Sequence, residues 1–239
     1  MKGTIGFFGV GNMGGALARA AARSIDPASL VLADRDTARA ETLAAELGGR
    51  AASNQEIAET CDMLFLGVKP QVIGALLEEL KPILAARTTP FTLVSMAAGV
   101  QIAKVRALAG ADYPVIRIMP NTPVSVGQGM ILYDHTGNVT GEALALFQTA
   151  LAQAGRLDPL PEHLIDAGCA VTGCGPAFVD LFLEALALES GRHPGALKDA
   201  VCSPGGYTIV GVQTLEQRAF RSAVIDAVVA ACEKTKALG

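Results

Sequence analysis

The sequence predicts an α/β fold in which a doubly wound, mostly parallel sheet is followed by an all-α domain. Three observations predict it: short apolar runs alternate with helical spacings over the first 155 residues, the first connecting turn is rich in glycine, and strand patterns stop after Leu164. Strands that alternate with helices form parallel sheets covered on both faces. We expect a first domain over residues 1–155 and a second over residues 156–239.

The first predicted strand, Thr4–Phe8, leads into a turn with the spacing G-x-G-x-x-G. The turn contains Gly9, Val10, Gly11, Asn12, Met13 and Gly14. Glycines at these places allow a tight turn and let a pyrophosphate approach the backbone closely. The motif alone is a weak signal, but its position between a strand and a helix indicates a Rossmann-type, dinucleotide-binding domain.

The second predicted strand, Leu30–Ala33, ends in two residues that favour opposite cofactors. Asp34 follows Gly14 by twenty residues, where an acidic side chain binds the ribose 2′-hydroxyl of NAD. Arg35 comes next and would instead hold the 2′-phosphate of NADP in a bidentate contact. Solvated residues at a strand end are the alternative for both, so the choice of cofactor stays open at this point.

Four more strands are predicted at Met63–Val68, Thr92–Met96, Val115–Met119 and Gly129–Tyr133. A helix between the first two is marked by Ile73, Leu76, Leu77, Leu80 and Leu84. Small or backbone-exposing residues end three of the strands, namely Gly67, Val68, Lys69 and Pro70, then Met96, Ala97 and Ala98, and finally Asn121. Because ligands bind beyond the carboxyl ends of parallel strands, we expect a crevice there that admits a flat nicotinamide ring.

The second half of the sequence has apolar residues at helical spacing. A connecting helix is marked by Leu144, Phe147, Leu151 and Ala154, and further helices follow the turn Gly173–Pro176 and cover Ile225–Cys232. About eighty apolar helical residues make a thin core, because small domains bury a lower fraction of their surface. We therefore expect these helices to form a dimer.

One turn in this half carries a candidate anion site. Ser203, Pro204, Gly205 and Gly206 precede Tyr207 and Thr208, where a helix is predicted to begin. Proline suits a first helical turn, glycines allow close approach of a ligand, and free N–H groups at a helix start bind anions such as carboxylates. Thr208 adds a hydroxyl that both donates and accepts. An ordinary helix start is the alternative.

The composition argues against several other classes of protein. A net charge of −4 is opposite to the basic surface that nucleic acids or anionic membranes require, and no apolar run has the length of a membrane span. The turn at Gly9 leaves no room for a targeting peptide, and five cysteines without a C-x-x-C pair indicate reduced thiols, so we expect a cytoplasmic protein. The three histidines lie far apart, and no metal site is expected.

Six segments together resemble the pyrroline-5-carboxylate reductase family across nearly the whole chain. They are Phe7–Gly15, Leu66–Gln71, Val94–Val100, Val115–Gly127, Leu164–Phe178 and His193–Ile209. The resemblance implies reduction of 1-pyrroline-5-carboxylate to L-proline, the final step of proline biosynthesis, by a homodimer or a higher homo-oligomer. NADP(H) is the expected cofactor and NAD(H) the alternative.

The resemblance also implies roles for individual residues. Cofactor contacts fall on Phe8–Met13, Asn54, Gly67–Pro70 and Met96–Ala98, and the substrate loop falls on Ser203–Thr208. Glu162 is expected to be a further carboxylate on the substrate side. Thr208 would bind the ring nitrogen, and because an iminium is already electrophilic, positioning supplies most of the acceleration.

The sequence departs from the family pattern in four places. Cys174 replaces a usual serine, Tyr207 replaces a small residue, and Gln217–Ala219 interrupts a glycine-rich turn. A helical segment that is usual in the family is absent near residues 186–192, either because the protein lacks it or because the sequence as given omits it and is numbered across the gap. Two alternatives therefore remain: a related imine or 2-oxo acid reductase, and a non-catalytic NAD(P)-binding paralogue.

Overall fold

A computed structural model of the protein describes residues 3–177 and 193–223. The chain forms two compact units, Met1–Cys169 and Ala170–Gly239. The first unit contains an eight-stranded sheet with helices. The described part of the second unit contains helices and no strand. The predicted α/β fold class is confirmed.

The first unit contains all eight strands. They are β1 (Ile5–Phe8), β2 (Leu30–Ala33), β3 (Arg50–Ala51), β4 (Met63–Leu66), β5 (Thr92–Ser95), β6 (Val115–Met119), β7 (Gly129–His135) and β8 (Gly155–Pro159). Its helices are α1 (Asn12–Ala22), α2 (Thr37–Leu47), α3 (Asn54–Thr60), α4 (Ile73–Ala86), α5 (Ile102–Ala109) and α6 (Gly141–Ala150). Helix α7 (Glu162–Thr172) runs from the first unit into the second, which also holds α8 (Pro194–Val201) and α9 (Tyr207–Gln217).

The sheet has the strand order β3-β2-β1-β4-β5-β6-β7-β8. All neighbours are parallel except β6 and β7, which are antiparallel. Strand β1 lies between β2 and β4, and Phe8 at its end pairs with Ala33 on one side and Leu66 on the other. The strand order reverses at β1, and in open α/β sheets such a reversal is where ligands bind.

Helices cover both faces of the sheet, which explains why its central strands are almost continuously apolar. On one face, Phe7 and Phe65 stack with ring centroids 4.5 Å apart and pack with residues of α1, α2 and α6. On the other face, Phe8 and Leu64 pack with residues of α3, α4 and α5. Strands buried on both faces lose the alternation of a half-exposed strand, so short apolar runs identify them.

The sequence prediction missed two strands, β3 and β8, and β8 lies in the first unit beyond residue 155. Strand β3 has only two residues, and β8 has the polar sequence G-R-L-D-P. Gly155 pairs with Gly129, and a Cβ on Gly155 would lie 2.1 Å from the Gly129 carbonyl oxygen. This close backbone approach, rather than an apolar pattern, brings β8 onto the sheet.

The helix starts differ in how their free N–H groups are satisfied. Side chains of Asp36, Ser53 and Thr140 accept hydrogen bonds at the starts of α2, α3 and α6. Helices α1 and α9 begin after Gly11 and Gly206, without a side-chain cap. Within the described residues, no helix is both long and apolar enough to cross a membrane.

Candidate functional site

The turn after β1 brings two backbone segments into direct contact. Gly9 has a φ of +93°, and Gly67 N donates to the Phe8 carbonyl oxygen at 2.8 Å. A Cβ at Gly14 would lie 2.2 Å from the Gly9 carbonyl oxygen, and one at Gly67 would lie 2.4 Å from that same oxygen. Larger residues at these positions would separate β1, β4 and α1, so these glycines serve packing.

Gly11 has a different environment from the other glycines of the turn. A Cβ at Gly11 would meet no heavy atom within 4 Å, and the α1 N-terminus that follows has no side-chain cap. The N–H groups and the dipole of a helix start attract phosphate oxygens. Open space beside uncapped N–H groups therefore fits the pyrophosphate of a dinucleotide.

The residues predicted to contact the cofactor follow strands at one edge of the sheet. Phe8 is the last residue of β1, and the residues Gly9–Gly14 follow it. Asp34 and Arg35 follow β2, Gly67, Val68, Lys69 and Pro70 follow β4, Met96, Ala97 and Ala98 follow β5, and Asn121 follows β6. Asn54 is the first residue of α3. The described structure thus collects these positions at the carboxyl ends of the parallel strands.

The Asp34 carboxylate accepts hydrogen bonds from two backbone groups. Its Oδ2 accepts from Val10 N at 2.8 Å, its Oδ1 accepts from Asp36 N at 3.0 Å, and Arg39 lies 3.8 Å from Oδ1. The Asp34 side chain is only 11% exposed. Its contacts brace the glycine turn against α2, and its expected contact with a ribose stays a prediction.

Two other predicted cofactor residues also hold protein groups. Asn121 is buried, and its Oδ1 accepts from Met130 N at 2.8 Å, which ties the end of β6 to the start of β7. Asn54 is half-buried and donates from Nδ2 to Glu79 Oε1 at 3.2 Å. The cofactor roles of both stay predictions.

Glu162 belongs to a charged network around a fully buried arginine. Arg117 is 1% exposed, its Nη1 lies 3.3 Å from Glu162 Oε1, and its Nη2 donates to Asp166. Glu162 Oε1 also accepts from Ile102 N at 2.6 Å, and Glu162 N donates to Asp134 Oδ2 at 2.7 Å. Glu162 thus caps α5 and neutralises Arg117, and these contacts give no support to its expected substrate role.

Arg117 was missed by the sequence analysis, although a signal was present. It is the one charged residue in the otherwise apolar strand V-I-R-I-M. A charge inside a strand that is buried on both faces requires partners, which here come from α7. Within the described residues its Nε has no hydrogen-bond partner.

The predicted substrate loop lies in the second unit and ends at α9. Gly205 has a φ of +71° with open space around its Cβ position, and Gly206 N donates to the Ser203 carbonyl oxygen at 2.9 Å. Tyr207 is about half exposed, whereas Thr208 beside it is 6% exposed. Open glycine backbone therefore precedes an uncapped helix start, the combination that suits a small carboxylate.

Two thiols lie close to this loop. Cys174 is buried, and its Sγ lies 3.5 Å from the Thr208 Oγ1. Burial raises the pKa of the Cys202 thiol, and the Lys198 ammonium opposes that rise. The Cys202 thiol therefore stays protonated near neutral pH.

The comparisons with known proteins cover both halves of the chain. A family model described as NADP oxidoreductase, coenzyme F420-dependent, matches residues 4–99, and one described as pyrroline-5-carboxylate reductase dimerisation matches residues 185–238. The chain is 34% identical to the pyrroline-5-carboxylate reductase of Escherichia coli over 269 residues, which cover 100% of this chain and 99% of the relative.

The aligned span of 269 residues exceeds the 239 residues of this chain by 30, so the E. coli relative has residues without a counterpart here. The expected absence of a helical segment near 186–192 falls outside the described residues and stays a prediction.

Two solved structures support the same relationship. A pyrroline carboxylate reductase from Plasmodium falciparum with NADP bound is 31% identical, with coverage of 100% of this chain and 98% of that one and a TM-score of 0.67. A pyrroline-5-carboxylate reductase from Coxiella burnetii is 27% identical, with coverage of 100% and 99% and a TM-score of 0.72. Sequence identity along the full length and a shared fold agree, and the chain belongs to the pyrroline-5-carboxylate reductase family.

Proposed function

We propose that this protein reduces 1-pyrroline-5-carboxylate to L-proline with NAD(P)H. The observation that carries the proposal is a pair of glycine-preceded, uncapped helix starts, at α1 in the first unit and at α9 in the second. The first suits a pyrophosphate and the second suits a small carboxylate. Relatives named pyrroline-5-carboxylate reductase support the same substrate and cofactor.

NAD(P)H, when bound, supplies a hydride to the imine carbon of the substrate. The C=N π bond breaks as the new C–H bond forms, and the ring nitrogen keeps the proton that made the imine an electrophilic iminium. The backbone around Gly205 and Gly206 holds the substrate carboxylate. Thr208 accepts a hydrogen bond from the ring N–H, so the chain contributes orientation rather than a strong acid.

The preferred cofactor is NADP(H), with NAD(H) as the alternative. Asp34 is already engaged by Val10 and Asp36, so it does not select a ribose 2′-hydroxyl. Arg35 is exposed and forms no ion pair among the described residues, which leaves its guanidinium free for a 2′-phosphate. Arg35→Ala is expected to raise the KM for NADPH about tenfold or more and to leave the KM for NADH unchanged. Equal effects on both cofactors would remove Arg35 from this role.

The substrate role of Thr208 is tested by Thr208→Ala. Loss of a hydrogen bond to a charged group is expected to lower kcat/KM for 1-pyrroline-5-carboxylate about 10- to 100-fold while the Kd for NADPH is unchanged. Thr214→Ala is the matched control, because Thr214 lies exposed on the same helix and its hydroxyl donates to the Val210 carbonyl oxygen at 3.0 Å.

Three outcomes of this experiment are informative. Wild-type turnover of 1-pyrroline-5-carboxylate with the expected loss in Thr208→Ala supports the proposal. Unchanged turnover in Thr208→Ala would exclude Thr208 from the mechanism. Tight NADPH binding by the wild-type protein without turnover of any cyclic imine would instead identify a non-catalytic paralogue.

We also propose that the protein works in the cytoplasm as a homodimer or a higher homo-oligomer, assembled through its second unit. The match of residues 185–238 to the dimerisation family supports the assembly. Val171 and Val210 of this unit are 73% and 58% exposed, which suits a surface that a second copy covers. Light scattering coupled to size-exclusion chromatography tests the assembly, and a monomeric mass at micromolar concentration would refute it.

A further inference from the structure

Among the described residues, the hydroxyl of Thr208 has one hydrogen-bond partner, the Cys174 thiol, and its chemistry bears on the reaction. Cys174 Sγ lies 3.5 Å from Thr208 Oγ1, and this is the hydrogen bond that the Thr208 side chain makes among the described residues. Cys174 is 4% exposed and Thr208 is 6% exposed. Water is therefore kept from most of this pair, and the thiol is the neighbour that decides where the hydroxyl proton points.

We propose that Cys174 is a positioning residue that accepts the hydroxyl proton of Thr208 and so turns a lone pair of Oγ1 toward the substrate. This inference rests on the proposed function, in which Thr208 binds the ring nitrogen. A hydroxyl has one proton and two lone pairs, so its direction depends on the partner that takes the proton.

The chemistry of the substrate fixes which direction is useful. The form of the imine that takes a hydride carries a proton on nitrogen, and that nitrogen is then a donor only. If the Thr208 hydroxyl pointed its proton at the substrate, that proton would face the proton of this N–H group, and no hydrogen bond could form. A hydroxyl that donates to the Cys174 sulfur presents an oxygen lone pair instead, and the N–H of the iminium donates to it.

Two substitutions at position 174 separate the acceptor from its packing. Sulfur is a weak acceptor, whereas a serine hydroxyl is a stronger one at a similar size. Cys174→Ser therefore keeps an acceptor beside Thr208, and Cys174→Ala removes it with little change in volume. The two variants separate the loss of an acceptor from the loss of packing.

A double-mutant cycle tests the inference with purified full-length protein, NADPH and 1-pyrroline-5-carboxylate. We expect Cys174→Ala to lower kcat about three- to tenfold, the effect of one neutral hydrogen bond, with the Kd for NADPH unchanged. Cys174→Ser is expected to retain kcat within about twofold of the wild type. In the Thr208→Ala background, Cys174→Ala is expected to have no further effect, because the hydroxyl that it positions is gone.

Cys169→Ala serves as the control for removal of a buried thiol, since Cys169 is equally buried but packs against Met119, Leu132 and Ile165. Its kcat is expected to stay at the wild-type value. Thermal unfolding of every variant reports loss of packing separately from loss of turnover.

Several results would overturn the inference. Wild-type kcat in Cys174→Ala would do so, as would an equal loss from Cys174→Ala in the presence and absence of Thr208, which marks packing alone. A loss in Cys174→Ser as large as in Cys174→Ala would also contradict it. If Thr208→Ala turns over normally, the proposed substrate role of Thr208 is wrong, and the inference about Cys174 fails with it. If turnover is lowered in Thr208→Ala but not in Cys174→Ala, only the inference about Cys174 is refuted.

Discussion

A substitution at Gly11 distinguishes the effect of the glycine turn on protein stability from its proposed role in binding the cofactor. In Gly11→Ala the new Cβ meets no heavy atom within 4 Å, and the φ of −65° is one that alanine adopts freely. Alanine is less favourable than glycine at a helix N-cap by about 0.5–1 kcal/mol. For a chain of this length we therefore expect the Tm to fall by about 2–4 °C at most.

The same methyl group occupies the space in which a pyrophosphate is proposed to approach the backbone. Displacing the phosphate by the width of a methyl group breaks one charge-assisted hydrogen bond, which contributes about 1.5–3 kcal/mol. The Kd for NADPH is therefore expected to rise about 10- to 150-fold. Titration followed by NADPH fluorescence measures this change, and thermal unfolding without cofactor measures the stability of the same samples.

Two other glycines provide matched comparisons. Gly74 lies inside α4, and its nearest neighbour, Leu108 Cδ2, would be 4.0 Å from a new Cβ, so Gly74→Ala is expected to raise stability by about 0.5–1 kcal/mol and leave the Kd unchanged. Gly14→Ala places a Cβ 2.2 Å from the Gly9 carbonyl oxygen and is expected to destabilise the fold itself. If Gly11→Ala binds NADPH as tightly as the wild type, the assignment of this turn to the pyrophosphate is wrong.

Three further predictions concern groups outside the turn. Arg117→Met is expected to lower the free energy of unfolding by about 2–4 kcal/mol, because it leaves two partly exposed carboxylates without their cation, and a urea midpoint equal to the wild type would contradict this. Asp34→Asn is expected to raise the Kd of NADH and NADPH by the same factor, since it weakens the brace on the turn; a loss confined to NADH would restore the ribose role. Burial raises the pKa of the Cys61 thiol above its usual 9.0, so this thiol loses its proton less readily in the folded protein than in the unfolded chain. The free energy of unfolding is therefore expected to be unaffected by this group below pH 9 and to fall as the pH rises above 9. The decline above pH 9 is expected to be shallower in Cys61→Ala, and equal slopes would show that another group is responsible.

Much of the first unit could be predicted because its signals are local. Strands buried on both faces, such as β4 and β5, appear as short apolar runs, and the turn after β1 has glycines at fixed spacing. Strand β8 could not be predicted, because its place on the sheet depends on two glycine backbones, Gly155 and Gly129, that lie far apart in the chain. Some strand ends also differ from the prediction. Strand β4 ends at Leu66, so Val68, which was predicted to belong to this strand, lies in the turn that follows it.

The candidate site divides in the same way. Spacing correctly indicated that Asp34 lies next to the glycine turn, but spacing does not state which groups its two oxygens accept from. In the structure the Asp34 oxygens accept hydrogen bonds from Val10 N and Asp36 N. Glu162 forms an ion pair with Arg117 and accepts a hydrogen bond at the start of α5. A carboxylate has several possible donors, and only the folded neighbourhood decides among them.

The sequence by itself determined the α/β class, the glycine-rich turn after β1 and the family, because each depends on the order and spacing of residues along the chain. Only the tertiary structure decided which polar groups are already satisfied: Asp34 braces a turn, Arg117 is held inside the sheet, and Thr208 lies against the Cys174 thiol. The physical reason is that hydrogen bonds and ion pairs act over about 3–4 Å in space. Residues that meet at that distance, such as Cys174 and Thr208, are separated by 34 positions in the chain.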